Sequence, residues 1–203
     1  MVLPIVVYGD PVLRKMGVDI DKDYEGLDEL ITNMFETMYH AKGVGLAAPQ
    51  IGKAIRLFVI DASPFGEVDE EDEEDEEDKL SAKEIEYLKN FKRVFINAKI
   101  LDEKGEEWKF NEGCLSIPKI REDVLRKATV TIEYYDQHFK KHKETIEGLA
   151  ARIIQHEYDH IDGKLFTDRI SAFRRKMLAG KLNDITKGKF NAEYKTKVYQ
   201  GKK

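Results

Sequence analysis

The chain has 203 residues, of which 41% are hydrophobic, which is enough for one domain with a buried core. No apolar run approaches the roughly 18 residues of a membrane span. The single cysteine, Cys114, excludes an internal disulfide and suits a reducing cytoplasm. The net charge of −5 averages two opposite regions: 11 of the 12 residues at 67–78 are acidic, whereas residues 169–203 carry 11 basic and 2 acidic side chains.

The first half of the chain predicts two strands and one helix. In chain order the elements are a strand at 1–8, a turn or helix start at Asp10-Pro11, a helix at 26–41, a glycine-containing loop at 43–50 and a buried strand at 55–61. The N-terminal segment is short and has no basic stretch, so it is interpreted as a strand and not as a signal peptide. Apolar residues recur at helical spacing in 26–41, and Gly43 ends that helix. Residues 63–83 are polar and acidic, which predicts a flexible or disordered insertion.

The second half predicts further strands and two helices. Strands are expected near 93–97 and 108–110, and residues 129–135 alternate as a strand does. Residues 149–160 predict a helix with Leu149, Ile153, His156 and His160 on one face, and a basic helix follows from 171 to about 185. Segregated strands and two main helices predict an α+β domain over residues 1–170, followed by a basic helix and tail at 171–203.

The pattern His156-Glu157-Tyr158-Asp159-His160 is the strongest local signal. Two histidines four residues apart on a helix lie on one face, so both imidazoles can reach one metal ion, with Glu157 beside its bound water. The alternative is a chance match on a charged surface helix, which five histidines in 203 residues allow. The motif favours a metal-dependent hydrolase.

A catalytic metal of this class needs a third protein ligand. Metzincins take a third histidine from just beyond the motif, but Phe166 stands at that place here. Asp168 remains a candidate, and Cys114 is the better one, because a metal would hold its thiol as thiolate. Taken alone, Cys114 would be interpreted as a buried core cysteine. Its pairing with the helix motif favours a Cys-His-His site.

The segment 43–48 also fits the dinucleotide fingerprint G-x-G-x-x-A. That fingerprint follows a strand and opens a helix, whereas this segment follows a helix and leads into Pro49 and a strand, so nucleotide binding is rejected. Two interpretations stay open: a plain helix-to-strand turn, or an exposed backbone edge that pairs with an extended peptide. In the second case the Gln50 side-chain amide offers a donor.

Three segments together resemble the three motifs of peptide deformylases. They are GVGLAAPQ at 43–50, EGCLS at 112–116 and QHEYDH at 155–160, in the family's order. DPVLR at 10–14 is similar to the family's N-terminal segment. The resemblance covers residues 4–170. The chain departs from the family pattern in its acidic insertion and in Ile161, where leucine is usual.

The resemblance implies antiparallel sheets around a central metal-binding helix, and removal of the formyl group from the N-terminal formyl-methionine of new proteins. It implies one divalent metal held by Cys114, His156 and His160. That metal is ferrous iron in native family members, and zinc, nickel or cobalt can occupy the site, since thiolate and imidazole accept all of them. In the resulting hypothesis a metal-bound hydroxide attacks the formyl carbon, and Glu157 accepts and returns the proton.

The resemblance also implies which residues contact substrate. Negative charge on the formyl oxygen would be stabilised by the Gln50 amide and the Leu115 backbone N–H. The implied methionine pocket and peptide-binding residues are Gly43, Val44, Gly45, Phe110, Glu112, Arg121, Leu149 and Ile153. The two glycines would keep side chains away from the peptide. Asp159 is expected behind the ligands, in an ion pair with Arg126.

Two other functions stay open at this point. One is an H-E-x-x-H peptidase that cleaves internal peptide bonds, and the other is a non-catalytic protein that binds peptide N-termini. The expected setting is the bacterial cytoplasm, with N-formylmethionyl nascent peptides as partners and no membrane or DNA partner. The basic segment 171–203 either contacts ribosomal RNA phosphates, as a C-terminal helix does in some family members, or is only solvated surface.

Overall fold

A five-stranded sheet with a helix packed against each face forms the centre of the fold. The computed structural model describes residues 1–67 and 80–201. Its strands are β1 (Ile5–Val6), β2 (Gly45–Ala47), β3 (Leu57–Asp61), β4 (Lys92–Cys114), β5 (Ile117–Tyr135), β6 (Lys141–Glu147) and β7 (Thr196–Lys197). Its helices are α1 (Leu27–His40), α2 (Ala82–Lys89), α3 (Gly148–Ile161) and α4 (Ala172–Thr186), with short 3₁₀ turns at Pro11–Arg14, Ala48–Ile51, Ser63–Gly66 and Phe166–Asp168. The predicted α+β class is confirmed.

The sheet runs in the order β2-β3-β4-β5-β6, and every neighbouring pair is antiparallel. Strands β4 and β5 form one long hairpin, whereas the sequence predicted separate strands near 93–97 and 108–110. The residues between those two stretches are mostly exposed and mostly charged, which hid their continuity. Register shifts interrupt the pairing, one of them around Gly105 with φ +84°. The tip of the hairpin places Cys114 close to His156 and His160 of α3.

Both faces of the sheet are covered, which explains why β3 is apolar throughout. Phe58 and Ile60 lie in the cluster that includes the apolar residues of α3. Leu57 and Val59 point the other way, into the cluster formed with α1. The predicted helix at 26–41 is confirmed as α1, which begins after Gly26, in a left-handed conformation at φ +72°. The helix α3 confirms the prediction for 149–160.

The ends of the predicted acidic insertion are ordered. The prediction of a flexible segment over 63–83 is wrong for its described ends, which include the 3₁₀ turn at Ser63–Gly66 and the start of α2; residues 68–79 lie outside the described residues. Phe65 and Leu88 hold these ends against the core. From α2 the Glu84 carboxylate accepts a hydrogen bond from the Leu149 N–H at 3.0 Å, so this unpredicted helix caps the start of α3.

The C-terminal segment packs on the rest of the chain. The buried side of α4, formed by Leu178, Leu182 and Ile185, lies in a cluster with Val7 and Ile117. Strand β7 then pairs in parallel with β1, which is the only part of 1–8 in strand conformation. The division at residue 170 stays a prediction. Within 1–67 and 80–201 no helix has both the length and the apolar character to cross a membrane.

Candidate metal centre and active site

Three possible metal ligands from distant parts of the chain converge. The side-chain donor atoms of Cys114, His156 and His160 all lie within 4.8 Å of one another, and Cys114 Sγ is 3.3 Å from His160 Nε2. Cys114 ends β4, and the hairpin tip places it over one face of α3, where the two histidines sit one turn apart. Asp168, the other candidate ligand, is outside this group: its carboxylate is bound by Arg14 and accepts from the Leu165 N–H.

A buried ionic network orients the first histidine. His156 Nδ1 lies 2.9 Å from Glu112 Oε2, an arrangement that leaves Nε2 free for a metal. Glu112 also accepts from Arg126 Nε at 2.7 Å and from Arg152 at 3.0 Å. Glu112 was expected to bind substrate; it lines the cavity, but both of its carboxylate oxygens are taken by side chains of the protein.

The network continues to Asp159. Arg126 donates to Asp159 at 2.7 Å, which confirms the predicted ion pair, and Arg169 binds the same carboxylate from the other side. Burial alone would raise the pKa of Glu112, but hydrogen bonds from Arg126 and His156 hold it well below its usual range. The network is therefore charged, paired and fixed, as a support for a metal ligand requires.

The electrostatic surroundings favour a thiolate at Cys114. Burial raises the pKa of the thiol, but the charge of His160 and the hydrogen bonds of both histidines outweigh burial and lower it to about 5. A thiolate with two imidazoles is a donor set that fits a divalent transition metal such as iron, zinc, nickel or cobalt. Phe166, at the place of the metzincin histidine, instead stacks on His156 with ring centroids 6.4 Å apart.

Glu157 lies beside the ligands in a nearly closed environment. Its side chain is 4% exposed, and its Oε2 has no hydrogen-bond partner among the described residues. Burial raises its pKa to about 7, against the opposing charges of His156 and His160. A Cβ added at Gly45 would lie 2.7 Å from Glu157 Cδ, so glycine is needed here to make room for the carboxylate. Gly43 likewise leaves room for the Leu115 side chain. These contacts within the protein, and not only the peptide, explain the two glycines.

Gln50 is held in one orientation at the edge of the ligand group. Its Oε1 accepts from the Ala47 N–H at 2.8 Å. Its Nε2 is therefore directed at Cys114 Sγ, 3.5 Å away, and at Ser116 Oγ, 3.3 Å away. Because the carbonyl end is occupied, the amide N–H groups are the end of the side chain that lies next to the possible metal ligand Cys114.

A cavity of about 430 Å³ opens onto this group, within the range of small-ligand sites. All of the predicted substrate-binding residues line it: Gly43, Val44, Gly45, Phe110, Glu112, Arg121, Leu149 and Ile153. Arg152 and Tyr194 are among the further lining residues that sequence reasoning missed. Arg152 stands one helical turn before His156, so its spacing could have indicated it; nothing in the sequence pattern linked Tyr194 to the site.

The comparisons with known proteins agree with this geometry. Residues 2–176 match the family model described as polypeptide deformylase. Peptide deformylases from Christiangramia forsetii and Flavobacterium johnsoniae are 55% and 59% identical over 203 residues, covering 100% of this chain and 99% of each relative. A peptide deformylase structure from Legionella pneumophila has a TM-score of 0.73 and 37% identity, covering 92% of this chain and 96% of that one. One from Arabidopsis thaliana, in complex with an inhibitor, has a TM-score of 0.74 and 33% identity, covering 92% and 91%. The chain therefore belongs to the peptide deformylase family, the enzymes that remove the N-formyl group from nascent peptides.

Proposed function

We propose that this chain removes the formyl group with a divalent metal ion held by Cys114, His156 and His160. Glu157 carries the protons, and Gln50 with the Leu115 backbone N–H stabilises the charge that develops on the formyl oxygen. The observation that carries the proposal is the convergence of three ligand atoms within 4.8 Å beside the free carboxylate oxygen of Glu157.

The donor set supports the metal part of the proposal. One thiolate and two imidazoles accept several divalent ions, and ferrous iron is the native metal by resemblance. When bound, the ion supplies hydroxide near neutral pH and polarises the formyl oxygen. Glu112 supports this site from behind, because it fixes the ring of His156 through the bond at 2.9 Å.

Position supports Glu157 as the acid and base. It follows the proposed ligand His156 directly on α3, and its side chain lines the cavity onto which the three possible ligands open. Its unpartnered oxygen can take a proton from the nucleophile and later give it to the leaving amine. Because the side chain is almost fully buried and packs closely against Gly45, the proton is transferred from one fixed place.

The strand β2 offers the backbone edge for the peptide. Asp61 N–H bonds to the Val44 carbonyl, so Val44 and Leu46 face β3, and the N–H and C=O of the alternate residue Gly45 are turned away from it. Gly45 also lines the cavity, so an extended peptide can add beside β2. Val44, Phe110, Leu149 and Ile153 supply the apolar wall suited to a methionine side chain.

Release of formate from formyl-Met-Ala-Ser by protein purified without oxygen is the direct test. The variant Glu157→Gln should keep its metal and lose nearly all formate release, because the ligands remain and the proton carrier is gone. Glu147→Gln, at the exposed start of α3, is the matched control and should behave as wild type. Loss of metal in parallel with activity in Glu157→Gln would make Glu157 structural. Internal cleavage of the peptide would indicate a peptidase, and no turnover at all would indicate a peptide binder.

We further propose that the enzyme works on nascent chains in the bacterial cytoplasm and meets the ribosome through α4. Phe173 and Met177 are 71% and 61% exposed on this helix, with Lys176 and Lys181 exposed nearby. Such a surface suits contact with RNA phosphates, which weakens steeply with salt.

The lysines of α4 give a cleaner test than its arginines. Arg174 is bound to Glu122 at 2.8 and 2.9 Å, so reversing its charge would also disturb packing. Lys176→Glu with Lys181→Glu should lower co-sedimentation with ribosomes at low salt and leave turnover of the free tripeptide intact. Unchanged co-sedimentation would refute the ribosome contact.

A further inference from the structure

The chain beyond α4 returns to the active site. Its strand β7 lies beside β1, where Ile5 N–H donates to the Lys195 carbonyl at 2.9 Å and Val7 N–H to the Lys197 carbonyl at 3.2 Å. Burial alternates along this segment, and Tyr194 is one of the residues that point inward. The pairing with β1 fixes the segment, so Tyr194 reaches the wall of the catalytic cavity.

Tyr194 contacts the turn of the β4-β5 hairpin. Its hydroxyl donates a hydrogen bond of 2.7 Å to the Leu115 carbonyl oxygen. The next carbonyl, that of Ser116, accepts from the Tyr8 N–H at 2.8 Å, and the Ser116 hydroxyl accepts from Gln50. Segments near both ends of the chain therefore hold the same two-residue turn.

These contacts restrict Leu115, whose N–H is proposed above to stabilise the formyl oxygen. Leu115 follows the ligand Cys114, and the hairpin pairing reaches only to Cys114 and Ile117, with a register shift just before it. A residue has only two soft backbone dihedrals, because its peptide planes are rigid. The peptide plane before Leu115 carries its N–H and is attached to the proposed ligand Cys114. The plane after Leu115 is held by the hydrogen bond to the Leu115 carbonyl. With both planes restrained, the direction of the Leu115 N–H is set.

We propose that Tyr194 is a positioning residue for deformylation, which orients the Leu115 N–H towards the formyl oxygen by fixing the Leu115 carbonyl. The inference rests on the proposed role of Leu115. Tyr194 lies beyond residues 2–176, which carry the family match, and no part of the motifs includes it. The C-terminal segment thereby takes part in the chemistry of the site, in addition to any contact it makes with a partner.

The variant Tyr194→Phe tests this, because it keeps the ring and its packing and removes only the donor. We expect kcat for formyl-Met-Ala-Ser to fall about fivefold to tenfold, the loss that follows from one neutral hydrogen bond, with KM changed by less than about twofold. Metal content and melting temperature should match wild type. Tyr199→Phe makes the same change at an exposed position of the same segment and is the control.

Nuclear magnetic resonance of the zinc-loaded protein reports on the conformation of the turn independently of an activity measurement. In Tyr194→Phe the carbonyl ¹³C signal of Leu115 and the amide signal of Ser116 should shift, whereas Tyr199→Phe should leave both in place. Shifted signals together with a lower kcat and an unchanged KM support the inference.

Three other results would overturn it. Unshifted signals would mean that Tyr194 does not hold the turn. Shifted signals with unchanged kcat would show that Tyr194 holds the turn but that Leu115 does not have its proposed role. The two failures are thereby distinguished. A fall of metal content or a rise of KM along with the loss of kcat would make Tyr194 a purely structural residue.

Discussion

Gly45 gives the sharpest test of how closely Glu157, the proposed acid and base, is confined. In Gly45→Ala the new Cβ would lie 2.7 Å from Glu157 Cδ and 2.8 Å from its Cγ, whereas ordinary contact begins at 3.4 Å. The carboxyl carbon must therefore retreat by about 0.7 Å, from 2.7 to 3.4 Å. Gly45 has no positive φ, so alanine brings no backbone strain, and the effect comes from the side chain alone.

The expected result separates catalysis from stability. The displaced group is the end of a side chain, so the fold can adjust, but a misplacement near 1 Å at a reacting group can cost about 10²-fold in rate. We expect kcat for formate release to fall on the order of tenfold to a hundredfold, or about 1.4 to 2.7 kcal/mol in the activation barrier. Metal content should be unchanged, because the nearest atoms to the added Cβ all belong to Glu157 and none to Cys114, His156 or His160.

The matched control is Gly180→Ala, in α4, where an added Cβ meets nothing within 4 Å. It should retain full activity and gain slightly in stability, because alanine is the better helix former. Formate release, metal analysis and thermal unfolding of the two variants give the comparison. If Gly45→Ala kept kcat within about twofold of wild type, the idea that Glu157 is confined by β2 would be refuted.

Four further changes test other parts of the site. Cys114→Ser should lower metal stoichiometry and formate release together, because a neutral hydroxyl replaces an anionic thiolate; full metal with full activity would remove Cys114 from the ligands. Glu84→Ala should lower the free energy of unfolding by about 1 kcal/mol, because α3 loses its capping carboxylate. Denaturant unfolding against the exposed control Lys83→Ala measures this, and equal midpoints would contradict it. Replacing residues 67–78 by a short Gly-Ser loop should leave kcat/KM nearly unchanged, since loop closure changes by only about 0.6 kcal/mol per doubling of length; a large drop would show that the loop shapes the site. The ferrous enzyme should lose activity in air faster than the nickel form, since iron and its thiolate can both be oxidised, and equal half-lives would count against that account.

The sequence by itself determined the parts of this protein that depend on short spacing. The helices α1 and α3 were predicted within one or two residues, because an amphipathic helix repeats its pattern every turn. The same spacing put His156 and His160 on one face, and the motif around Cys114 supplied the third member of the group.

Only the tertiary structure decided what depends on contacts between distant segments. The pairing of β4 with β5 brings Cys114 close to α3. It also places the Glu112 carboxylate in hydrogen-bond contact with Arg126 and His156, whereas the sequence predicted that Glu112 binds substrate. The helix α2 caps α3 across 65 positions, and Tyr194 reaches Leu115 across 79. Local periodicity carries no information about contacts between residues so far apart in the chain, because these contacts depend on how the chain folds back on itself. The closure of such long loops is driven by the burial of hydrophobic cores to which several segments contribute.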